Sequence, residues 1–98
     1  MKSISAVELQ EKIKNGEKVY IIDVREDAEV AEGKIPQAKH IPLGDIPQSL
    51  EKLDKNIHYY MVCRSGGRSS TACEFLNSQG YDVTNVTGGM LAWQGEIE

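Results

Sequence analysis

The stretch HYYMVCRSGGRSSTACEFL, residues His58 to Leu76, decides how the rest of the chain is read. An apolar run, Ile57 to Cys63, has the look of a buried strand and stops at a cysteine. A loop of arginine, serine and two glycines follows, Arg64 to Gly67, and a helical pattern begins at once near Arg68 or Ser69. Ala72, Phe75 and Leu76 supply that helix with an apolar stripe, and Gly80 ends it. Cys63 therefore stands at the carboxyl tip of a strand, facing a turn dense in amides and guanidinium groups.

Working outward, the same alternation of strand and helix recurs. Ser5 and Glu8 have capping-box spacing, and Leu9 and Ile13 lie four apart, so Ala6 to Asn15 reads as a first helix before Gly16. Lys18 to Val24 (KVYIIDV) is a second β-branched run, and EDAEVAEG is a short helix closed by Gly33. The prolines of IPQAKHIPL predict a turn, holding His40, that leads into a brief strand. Asp45 to Leu53 is expected to be a helix with Asp45 as its cap and Pro47 in its first turn. YDVTNV is a further strand, and MLAWQGEIE after Gly88 and Gly89 is expected to form a closing helix. Strands alternating with helices predict an α/β domain spanning residues 1–98, with a central, mainly parallel sheet of about five strands and helices on both faces. In such sheets ligands bind beyond the carboxyl ends of the strands, where Cys63 sits.

Composition limits the partners. A net charge of -4 argues against a nucleic-acid backbone, and Tyr59, Tyr60, Phe75 and Trp93 form no stacking platform for single strands. No apolar run reaches membrane-spanning length, and the first residues lack the apolar centre of a signal peptide. Two cysteines are too few for a disulfide scaffold, so a cytoplasmic location is expected. The two histidines, His40 and His58, have no second ligand at metal spacing. The acidic REDAEVAE segment reads as a solvated helix face, and Cys73 as a small buried helix residue rather than a redox partner of Cys63.

The loop carries the chemistry. Two glycines let successive N–H groups converge, the following helix aims its positive end at the same point, and Arg64 and Arg68 add formal charge. All favour a thiolate, the nucleophilic form of cysteine. The same cradle could hold a sulfur oxyanion, a phosphate or the extra sulfur of a persulfide. A lone cysteine at a strand end is ordinarily a packing residue. Packing, however, gives no reason for two arginines and two glycines directly after it.

These residues resemble a known family. CRSGGRS fits the C-x-x-G-x-R-S loop of single-domain rhodaneses, and RSSTACEFL is similar to the family's R-S-x-x-A-A-x-x-L helix start. YIIDVREDAEVAEGKIPQAKHIPL resembles its I-D-V-R-E…E…G-H-I-P-G-A…N-I-P segment, and VTGGMLAW its late G-G…A-W segment. Four matches in register run from Val7 to Trp93.

The resemblance implies a rhodanese-like fold and a sulfurtransferase working through a persulfide. It makes Cys63 the nucleophile, and Arg64, Ser65, Gly66 and Gly67 the cradle for donor and bound sulfur. Arg68 would close that cradle with Ser69 in support. Asp23 and Arg25 would brace the architecture. It implies no cofactor and no metal. The donor would be a small molecule such as thiosulfate, and the acceptor cyanide or a thiol, small or protein-borne. Lys34, Gln37 and His40 depart from the family's histidine, glycine and asparagine, which is expected to alter surface chemistry only.

Two rivals remain beside this one. Cysteine-dependent phosphatases and the related arsenate reductases resemble C-x5-R, whereas four residues separate Cys63 from Arg68, a loop better sized for sulfur than for phosphate. The other is a non-catalytic or persulfide-sensing binding module of the same family; non-catalytic modules usually have the cysteine replaced, and here Cys63 is present.

Overall fold

The computed structural model describes residues 1–98. Five strands form one sheet: β1 (Lys2–Ser5), β2 (Tyr20–Asp23), β3 (Ala38–His40), β4 (His58–Val62) and β5 (Asp82–Thr87). Three α-helices accompany them, α1 (Ala6–Lys14), α2 (Asp27–Ala31) and α3 (Gly67–Ser78). The strand order is β1-β5-β4-β2-β3 and every neighbouring pair is parallel. The expected sheet is therefore present, and it is wholly parallel.

Strand alternation explains the two cores. Ile22 of β2, Met61 of β4 and Val83 of β5 join Ala72, Cys73 and Leu76 of α3 on one face, together with Cys63 just past β4. Ile21, Val62 and Val86, one residue out of phase, meet Ala6 and Leu9 of α1 on the other. Burial on both faces makes these strands read as near-continuous apolar runs. The same alternation turns Cys63 toward the face where α3 starts.

The capping box of α1 forms as its spacing predicts: Glu8 N donates to Ser5 Oγ at 3.0 Å, and Ser5 N to Glu8 Oε1 at 3.1 Å. Three segments differ from expectation. Lys2–Ser5 pairs with Thr84–Thr87 as a fifth strand, although KSIS is too short and polar to announce itself. The expected helix at Asp45–Leu53 is 3₁₀, in two pieces at Leu43–Asp45 and Pro47–Lys52. Asp45 caps neither piece, and its carbonyl instead accepts from Ser49 Oγ at 2.7 Å. The Ser49 hydroxyl takes the Asp45 carbonyl that an α-helix would offer to the Ser49 N–H, which donates instead to the Ile46 carbonyl at 3.0 Å. The expected closing helix is a 3₁₀ turn at Gly89–Ala92, with Trp93 extended after it. Glu98 exchanges two main-chain hydrogen bonds with Lys34 (2.8 and 3.1 Å), partners that a helix could not supply. His40 closes β3 rather than lying in a turn, and its Nε2 donates to the Arg25 carbonyl at 2.7 Å.

No helix is long and apolar enough to cross a membrane.

Candidate active site

Cys63 follows β4 directly and is 1% exposed. The chain then turns through Gly66 at φ +113°, a left-handed conformation that costs glycine little, and enters α3. That turn brings the Gly66 N–H to 3.1 Å from Cys63 Sγ and the Ser69 hydroxyl to 3.3 Å. Burial by itself raises the thiol's pKa. The Ser69 hydroxyl and the amides of Ser69, Gly66 and Ser65 act against it, and the balance leaves Cys63 below its ordinary value of 9.0. Hydrogen bonds to the anion, more than nearby guanidinium charge, produce this shift.

Ser69 is itself held. Its hydroxyl donates to Asn85 Oδ1 at 2.6 Å, and Asn85 Nδ2 donates to the Gly66 carbonyl at 3.2 Å. Ser69 and Asn85 are both buried. One hydroxyl proton serves two acceptors: a neutral Cys63 donates its S–H to Ser69 Oγ, whereas a thiolate draws the Ser69 proton toward itself. Asn85 thus ties β5, the loop and the start of α3 into a single polar network.

The Gly88–Gly89 turn supports the loop from below. Met90 N donates to the Cys63 carbonyl at 2.9 Å, and Leu91 N to the Arg64 carbonyl at 3.0 Å. A Cβ on Gly89 would run into the Cys63 carbonyl and stand 2.6 Å from the Arg64 carbonyl oxygen, so the two segments pack backbone to backbone.

The remaining candidate residues divide. Arg64 and Ser65 are exposed, and the Arg64 guanidinium makes no ion pair. Gly67 opens α3, its carbonyl accepting from Thr71 Oγ1 at 3.3 Å. Arg68 reaches across to α2, donating to both oxygens of Glu29 at 2.6 and 2.8 Å. That bidentate pair, with the Glu26 amide, holds the Glu29 carboxyl at about 2. Asp23 and Arg25 form a buried ion pair at 2.8 Å, and Arg25 also donates to the carbonyls of Gly33 (2.8 Å) and Glu29 (3.4 Å). The pair pins α2 to the end of β2 and so fixes where Glu29 stands.

Sequence reasoning missed Glu29, Asn85 and the supporting role of Gly89. Glu29 was absorbed into an acidic face read as solvated. Asn85, a polar side chain inside a buried strand, was the available signal, because buried polar groups need partners.

Comparison with known proteins shows the family. The model of the rhodanese-like domain matches residues 5–96. A Bacillus subtilis protein, "Putative sulfurtransferase YtwF", is 56% identical over 98 residues, covering 100% of this chain and 95% of its own. An Allochromatium vinosum protein named "Sulfurtransferase" is 38% identical over 91 residues, covering 92% of this chain and 85% of its own. Among solved structures, a rhodanese-like domain protein from Staphylococcus aureus superposes with a TM-score of 0.95 at 47% identity, covering 100% of this chain and 97% of that one. The chain belongs to the rhodanese-like domain family.

Proposed function

We propose that this protein is a sulfurtransferase that carries sulfane sulfur as a persulfide on Cys63. The observation behind this reading is the Cys63 sulfur itself: hidden from water, yet met by the Gly66 amide at 3.1 Å and the Ser69 hydroxyl at 3.3 Å. Such a sulfur ionises readily and stays shielded until a donor arrives.

With thiosulfate, the Cys63 thiolate attacks the outer sulfur, a Cys63 S–S bond forms, the sulfur–sulfur bond of thiosulfate breaks, and sulfite leaves with the bonding pair. The amides of Ser65, Gly66 and Ser69 then face the terminal sulfur and stabilise its negative charge. Arg64, exposed and without an ion pair, is suited to grip an anionic donor, and Ser65 and Gly67 complete the turn. An acceptor, cyanide or a thiolate on a small molecule or a protein, attacks the terminal sulfur and releases the Cys63 thiolate. Asp23 and Arg25 act through architecture. No cofactor takes part, and neither nucleic acid nor a membrane is a partner. Two free cysteines fit a reducing compartment such as the cytoplasm.

The test is turnover of thiosulfate and cyanide to thiocyanate and sulfite, beside a Cys63→Ser variant. Turnover lost with Cys63 supports the proposal. Turnover that survives the substitution refutes it, and a wild type inert toward every sulfane donor favours a binding module.

A further inference from the structure

A cleft of ≈ 280 Å³ opens beside the sulfur loop, lined by Arg25, Glu29, Glu32, Gly33, Arg64 and Leu91. Its charges nearly cancel. Arg25 is neutralised by Asp23 at 2.8 Å, and Arg68 by Glu29 at 2.6 and 2.8 Å. Arg64 is then the one unpaired guanidinium, and Glu32, also in the wall, opposes it. Glu26 lies close enough to add to the negative field at Arg68. Three guanidinium groups, Arg25, Arg64 and Arg68, thus face the carboxylates of Asp23, Glu26, Glu29 and Glu32 around a loop whose sequence, with two arginines, looks strongly basic.

This balance bears on which donor the site takes. Attack of a thiolate on thiosulfate gathers three negative charges around one sulfur loop. Attack on the protonated form of an organic persulfide, R–S–SH, gathers one: the thiolate bonds to the outer sulfur, which keeps its proton, the S–S bond breaks, and R–S⁻ leaves with the bonding pair. A cleft without net positive charge penalises the first far more than the second. Leu91 is 67% exposed at the cleft's edge and offers apolar contact to the organic part of a persulfide, which thiosulfate lacks.

We infer that Glu29 is a specificity-determining residue: it pairs with the Arg68 guanidinium and neutralises it beside the sulfur loop, so that the site takes organic persulfides in preference to thiosulfate. This rests on the persulfide reading of Cys63. Glu29 acts through Arg68 and the local field, not by touching the reacting sulfur. Arg25, gripping the Glu29 carbonyl and the Gly33 carbonyl, sets its position.

The experiment measures the rate of sulfur loading onto Cys63 from thiosulfate and from cysteine persulfide, by quenching and intact mass. It is done on the wild type, Glu29→Gln, Arg68→Gln and the double variant. In Glu29→Gln the ratio of the thiosulfate rate to the persulfide rate rises by on the order of tenfold, because one negative charge is gone and one guanidinium is freed. In the double variant the ratio returns to near the wild-type value. Both donors are scored on the same protein, so partial misfolding lowers both rates and leaves the ratio intact. A ratio that stays level or falls in Glu29→Gln overturns the inference, as does a rise that persists without Arg68. Absence of loading from either donor in the wild type would instead overturn the persulfide reading itself.

Discussion

Two cysteines ten residues apart are equally hidden from water, Cys63 at 1% exposure and Cys73 at 0%, yet their chemistry is opposed. Burial pushes the Cys73 thiol up to about 12, because it lies in the apolar core between α3 and the sheet with no hydrogen-bond donor on its sulfur. Burial acts on Cys63 in the same direction and is outweighed by a hydroxyl and three amides. Desolvation penalises a thiolate, and donors aimed at the sulfur reward it. The site is therefore made by the turn that aims those donors, not by the cysteine or its depth.

Substitution separates the pair most sharply. Cys63→Ser is expected to lower sulfur transfer by about a thousandfold or more, whereas Cys73→Ala leaves it within about twofold, both read from thiocyanate formation. A large loss in Cys73→Ala would make the second thiol a participant and break the contrast.

Next in size is the turn's support. Gly89→Ala places a methyl group against the Cys63 and Arg64 carbonyls at a residue with φ +51°. It should destabilise the fold by about 2–3 kcal/mol in urea titration. A neutral outcome would mean that the loop does not rest on this contact.

Alkylation tests the contrast directly. In the native protein Cys63 is expected to react with iodoacetamide along a curve whose midpoint lies below 9.0, its ordinary value. Cys73, with its pKa near 12, should react only when the chain unfolds. Coincident curves for the two would remove the distinction.

The smallest effect isolates one donor. Ser69→Ala removes the hydroxyl 3.3 Å from the sulfur and should raise the Cys63 midpoint, slowing alkylation at neutral pH by about fivefold to tenfold. The direction follows from the loss of a bond made to the charged form. An unchanged midpoint would assign the shift to the amides alone.

Much of the fold was legible because its signals are local. The Ser5–Glu8 capping box, the apolar runs of β2, β4 and β5, and the glycine turn after Cys63 each lie within a few residues. What escaped depends on distant partners. β1 is a four-residue polar segment that exists as a strand because β5 offers it an edge. The Met90–Glu98 tail gives up helix for hydrogen bonds to Lys34, and in the Asp45–Leu53 segment the Ser49 hydroxyl takes the Asp45 carbonyl while its N–H turns to Ile46, leaving 3₁₀ turns. At the site, the sequence announced Cys63 and its loop. It did not announce that Arg68 is spent on Glu29, since those residues are 39 positions apart and an acidic helix face looks the same whether or not a guanidinium covers it. Asn85 escaped for a similar reason: its partners, Ser69 and the Gly66 carbonyl, come from the preceding crossover.

The measurement that tests the central claim most directly is site-resolved mass spectrometry of the reduced protein after exposure to a sulfane-sulfur donor, with persulfides trapped by alkylation before digestion. The account predicts one added sulfur on the Cys63 peptide, none on the Cys73 peptide, and its loss on treatment with cyanide or a thiol. Sulfur on Cys73, or a Cys63 peptide unmodified by thiosulfate and organic persulfide alike, would contradict it.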